Sequence, residues 1–138
     1  MPVSSMIKAI LVSNANIVNV FGTRIFPDII PNNKALPAIS YTVNNITKEG
    51  SKDRETEIIN IDATISVFAK TRTDCETYGG YVETIFNRIK GSYGSETVIT
   101  TIHEGESWDY VEDQTKPGTT NIGFGVFVHT LNFLIKTK

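Results

Sequence analysis

The chain is 138 residues long, with 13 Lys and Arg against 15 Asp and Glu and one cysteine. That length suits a single domain, residues 1–138, built on one sizeable core. A net charge of −2 argues against non-specific nucleic-acid binding, which runs on a basic surface, and a lone Cys75 cannot close an internal disulfide.

No stretch reaches the roughly 20 apolar residues that cross a bilayer. MPVSSMIKAILV lacks the basic start and cleavage site of a signal peptide, so folding in the cytosol is expected. From there Met6, Ile7, Ile10 and Leu11 recur at helical spacing behind Ser4 and Ser5, either of which suits a cap. Ile17, Val18 and Phe21 continue the pattern, and Gly22 is a natural stop. One N-terminal helix of about three turns is expected, weakened at Asn14-Ala15-Asn16.

TRIFPDIIPNNKALPAISYTV follows. Pro27, Pro31 and Pro37 exclude helix and central ladder, so this reads as a short edge strand, Thr23 to Phe26, and then bent, extended backbone. Pro37 opens the first long strand, in which Ile39, Tyr41 and Val43 alternate with polar residues. NITKEGSKDRET separates it from a second alternating run, Ile59 to Val67, giving a long-armed hairpin with a charged tip. Lys48, Lys52, Asp53 and Arg54 on that tip suit either a solvated loop or a docking segment.

Thr73 and Glu76 match a capping box, and Cys75, Tyr78, Val82, Ile85, Phe86 and Ile89 form one apolar face of a second helix ending at Gly91. Gly79-Gly80 within it suits close approach to a strand or is a tolerated defect, costing about 1–2 kcal/mol against alanine. The last third returns to strand. Val98, Thr100 and Ile102 alternate, and the acidic run Glu104 to Asp113 reads as a solvated loop, without the spacing of a calcium site. Trp108 and Tyr110 within it are core anchors or partner contacts. The final strand, IGFGVFVHTLNFLIKT, is apolar on both faces, so each needs covering by helix, by sheet or by another subunit.

Chemistry is sparse. His103-Glu104-Gly105-Glu106 is half of a zinc-protease motif without the second histidine, and His129 among Phe127, Leu131 and Phe133 reads as a core or interface histidine. Gly123-Phe124-Gly125 lies within a strand, outside any dinucleotide fingerprint, and Ser92 sits at a turn. No catalytic residue, cofactor or metal is expected, and an enzyme is the weakest of the readings.

The order of pieces, with V-x-x-V-F-G-T-R-I-F-P, then A-L-P-A-I-S-Y, then a hairpin arm ending I-S-V-F-A, resembles the tail-completion or tail-terminator proteins of long-tailed bacteriophages. The likeness covers residues 5 to 90. Ser107 to Asn121 has no counterpart in the pattern. The resemblance implies an α+β subunit, with a mostly antiparallel sheet, a long β-hairpin and two helices on one face. It further implies a homo-oligomeric, hexameric ring in the virion tail or neck, assembled in the bacterial cytoplasm. That ring would end tube polymerisation and meet the tail-tube protein and the head connector, while DNA passes through unbound. Pro27, Pro31, Phe127, Val128 and Phe133 are the expected subunit interface, since stiff extended backbone and a two-faced apolar strand suit contact between neighbours. A head-closure protein that never touches the tube is the alternative.

Overall fold

The structure is a computed structural model that describes residues 3–28, 37–49, 58–87, 89, 91–93, 96–112 and 125–137. Three helices, α1 (Val3–Val12), α2 (Ala15–Phe21) and α3 (Arg72–Ile85), accompany six strands. These are β1 (Ile25–Pro27), β2 (Ala38–Glu49), β3 (Ile58–Ala69), β4 (Gly91–Tyr93), β5 (Glu96–Glu112) and β6 (Gly125–Thr137). They form one sheet in the order β1-β2-β3-β6-β5-β4, antiparallel except for the β1–β2 pair. The α+β class and the hairpin of β2 and β3 match the expectation from sequence. The hairpin tip, with Lys52, Asp53 and Arg54, lies outside the described residues, as does Pro31.

The expected N-terminal helix is two. Asn14 adopts extended backbone and its side chain accepts from the amides of Asn16 and Ile17, so it caps a new helix in place of continuing the old one. Gly22 closes α2 at φ 57°, a left-handed conformation that costs glycine little, with its N–H on the Val18 carbonyl. Arg24 then joins the two proline-bearing blocks. Its guanidinium donates to the carbonyls of Pro37 at 2.8 Å and Val20 at 2.9 Å, fixing the start of β2 against the end of α2. Asp28 N–H donates to the Tyr41 carbonyl, holding the parallel edge strand in register.

Helix α3 is capped two residues earlier than the Thr73 box suggests. Thr71 accepts from the Asp74 amide, and Glu76 pairs with Arg72 on the exposed side. The helix also stops before Gly91. Phe86 leaves the spiral to stack on Phe133, centroids 4.8 Å apart, and its carbonyl accepts from the Thr101 hydroxyl. The Ile89 amide donates to the same hydroxyl oxygen, so a strand side chain closes the helix end.

All three helices contribute to the core on one face of the sheet. Met6, Ile7, Ile10 and Leu11 of α1 have no exposed surface, Phe21 of α2 meets Tyr78 of α3 edge-on at 5.5 Å, and Cys75, Val82 and Ile85 of α3 are buried. Opposite them lie Ile61, Ala63, Ile65 and Val67 of β3 and Leu131, Phe133 and Ile135 of β6. At about 25 cal/mol per Å² of apolar surface, this layer is the main stabilising contribution.

Candidate functional site

Two β-bulges decide what β5 presents. Between Val98 and Thr100, and again between His103 and Gly105, one residue of β5 has no partner on β6. In an unbroken strand His103 and Glu106 would point to opposite faces, because side chains alternate with period two. The extra residue, Glu104, resets the phase. His103 pairs with Phe133 and Glu106 with Leu131, both inward-facing on β6, so both side chains turn toward the helices. Trp108 opposite His129 and Tyr110 opposite Phe127 follow on the same side. The acidic run expected as a loop is therefore strand to Glu112, with its carboxylates divided between the two faces.

On the helix side Trp108 stacks on His129 with centroids 3.7 Å apart and planes 12° apart, and the Arg72 guanidinium lies 4.9 Å above the indole. Tyr110 contacts Phe127 at 4.8 Å, and these residues with Asp109 line a shallow hollow. Trp108 is thus half-buried and anchored, while Tyr110 is 45% exposed. Gly79 makes the His129 position possible, since a Cβ there would overlap the imidazole Nδ1. Gly80 faces open space, so of the paired glycines one accommodates a close approach and the other does not.

His129 is 4% exposed, and neither ring nitrogen has a hydrogen-bond partner. Leaving such groups unsatisfied costs about 1–3 kcal/mol. Its Nε2 lies 3.5 Å from Glu106 Oε2, the same oxygen that lies 3.6 Å from His103 Nε2. His103 Nδ1 faces Glu83 of α3 at 3.5 Å. Cys75 donates toward the carbonyls of Val67 and Phe127, and burial pushes its thiol pKa up.

On the other sheet face no helix lies among the described residues. Thr64 accepts from Asn44 and donates to Asn132 at 2.8 Å, and Ser66 meets Thr130 at 3.5 Å, forming a polar band across β2, β3 and β6. Around this band sit Phe68 and Leu134, half-buried, and Ile102, 46% exposed and opposite Leu134. Glu104 and Asp62 hydrogen-bond to each other; desolvation first, and then the charge of Asp62, raise the Glu104 pKa.

The residues singled out from the sequence fall in different places. Pro27 is exposed on the edge strand, Phe127 is half-buried beneath Tyr110, and Val128 is buried though it pairs with Phe68 on the helix-free side. Phe133 has no exposed surface and belongs to the core. Lys48 lies on the β2 arm, paired in register with Ile59. Sequence reasoning passed over the meeting of Glu83, His103, Glu106 and His129, because the register of β5 on β6 and the packing of α3 create it.

Among the described residues no helix is long and apolar enough to cross a membrane. No curated protein matches the sequence. A solved chain described as "Virion of native gene transfer agent (GTA) particle" shares the fold, with a TM-score of 0.64 at 10% identity over 99% of this chain and 97% of that one. The family described as Tail completion protein gp17 matches residues 6–90, more than half of the sequence and including the Arg24-linked blocks and the hairpin. The chain belongs to that family and is a structural protein of a phage tail.

Proposed function

We propose that this protein closes the head-proximal end of the tail tube as a homo-oligomeric ring, hexameric by the family resemblance, and gives the head connector its attachment surface. The observation that carries this reading is the sheet face opposite the helices, where Phe68, Leu134 and Ile102 flank a polar band with no helix above them among the described residues. A mixed apolar and hydrogen-bonding surface of this kind suits an interface between subunits. Both sheet edges support the reading. β1 and β4 each cover only three residues of the neighbouring strand, so the outer edges of residues 42–47 of β2 and 99–112 of β5 pair with no further strand among the described residues. Open strand edges are templates for pairing with another chain.

In this arrangement Pro27, Phe127 and the strand bearing Val128 contribute to subunit contact, and Phe133 acts from within the core. Lys48 on the β2 arm, with Lys52, Asp53 and Arg54 beyond it in the sequence, meets the tube, with Trp108 and Tyr110 available to a second partner. The mild acidity of the chain suits a lumen through which DNA slides without binding. Membership of a phage tail-completion family also supports a structural role over an enzymatic one.

Electron microscopy of the purified protein mixed with polymerising tail-tube protein tests the proposal. Rings at one end of each tube, and tubes of arrested length, are expected. Tubes that grow unchecked and bare at both ends would overturn it.

A further inference from the structure

Glu83, His103 and Glu106 each offer one ligand atom, and those atoms lie within 4.8 Å of one another. The geometry points to a divalent transition-metal site here, of the kind that takes Zn²⁺, joining α3 to β5. This goes beyond the tail-capping reading and is independent of it. The individual separations are 3.5 Å from His103 Nδ1 to Glu83 Oε1 and 3.6 Å from His103 Nε2 to Glu106 Oε2. Two ligand atoms about 2.1 Å from one tetrahedral zinc stand about 3.4 Å apart, which the pair of His103 Nδ1 and Glu83 already matches. An imidazole gives one nitrogen to an ion, so Glu106, which faces Nε2, must rotate toward Nδ1 to complete the set.

The outer partners of a metal centre are also in place. His103 Nε2 lies 3.1 Å from the Gly105 carbonyl; as the N–H donor there, it leaves the Nδ1 lone pair directed at Glu83. Metal-bound histidines commonly donate their second ring N–H in this manner, which fixes tautomer and ring orientation. His129 supplies the independent indication. It is almost wholly buried, neither of its ring nitrogens has a hydrogen-bond partner, and its Nε2 is aimed at Glu106 Oε2 from 3.5 Å. Metal binding that turned the Glu106 carboxylate would bring it into line with that Nε2–H, and the Trp108 stack and the gap at Gly79 hold the ring there. Imidazole with carboxylates favours zinc and its first-row neighbours over magnesium, which prefers oxygen and water. The β5 bulge at Glu104 belongs to the same design, because it places His103 and Glu106 on one face.

Isothermal titration of the metal-free full chain with Zn²⁺ is the test, with Mg²⁺ as control and Co²⁺ absorption as a second readout. One Zn²⁺ per chain is expected, with a raised thermal midpoint and ligand-field bands for Co²⁺. Glu83→Gln and His103→Gln, both at partly exposed positions, should each weaken binding about tenfold or more while the circular dichroism spectrum is unchanged. Glu104→Gln, adjacent in sequence but turned to the other face, should leave affinity unaltered. No saturable binding up to about 1 mM Zn²⁺, or binding undiminished in both Glu83→Gln and His103→Gln, would overturn the site.

Discussion

The two faces of the sheet are built on opposite terms. On the helix side, Ile61, Ile65, Val67, Leu131, Phe133 and Ile135 have essentially no exposed surface and meet α1, α2 and α3 through apolar packing. On the other side the central positions are Thr64, Ser66, Thr130 and Asn132, bonded to one another, with Phe68, Leu134 and Ile102 left partly open. The first face makes the chain fold, and the second is free to specify what it meets. A strand with apolar residues on both sides, such as β6, therefore serves stability on one face and, in the proposed ring, assembly on the other.

Substitutions sharpen that contrast in decreasing order of effect on folding. Phe133→Ala removes a fully buried ring stacked on Phe86 and should cost about 3–5 kcal/mol in chemical denaturation. An effect below about 1 kcal/mol would mean that the helix side is not the stabilising layer. Gly79→Ala, which ordinary helix propensity would favour, should instead destabilise by about 1–3 kcal/mol, because the new methyl overlaps the His129 ring. Gly80→Ala, one position along and facing open space, should stabilise by about 0.5–1 kcal/mol, so the two melts move in opposite directions. Ile102→Asp on the helix-free face should change stability by no more than about 0.5 kcal/mol, yet abolish ring formation in sedimentation or micrographs. If Ile102→Asp rings normally, the open face is not the subunit interface.

Much of this architecture was legible as periodicity. The alternation of Ile39, Tyr41 and Val43 against Ile61, Ala63, Ile65 and Val67 gives the hairpin, and Cys75, Tyr78, Val82 and Ile85 give the buried face of α3. What escaped did so where a local event breaks the period. The Asn14 cap divides one expected helix into two, since its side-chain oxygen competes for amides that a continuing helix would use. The bulges of β5 interrupt its alternation, so Glu104 to Glu112 looks like solvated loop when read by period alone. Thr71 displaces Thr73 as the cap of α3, and Phe86 ends that helix early because the core takes its ring. The Glu83, His103, Glu106 and His129 cluster was less legible still. Its members come from three elements, and only tertiary register brings them together.

The unpaired residue at Glu104 makes β5 tolerant of a length change at the bulge and intolerant of one just beyond it. Loss of the Glu104 codon would straighten the strand and still leave Gly105 opposite Asn132, Glu106 opposite Leu131 and Trp108 opposite His129. Loss of the Ser107 codon would instead turn Trp108 and Tyr110 outward and carry Asp109 in to lie against His129. Lineages of this chain should accordingly vary in length at Glu104 while keeping the spacing from Gly105 to Trp108 constant.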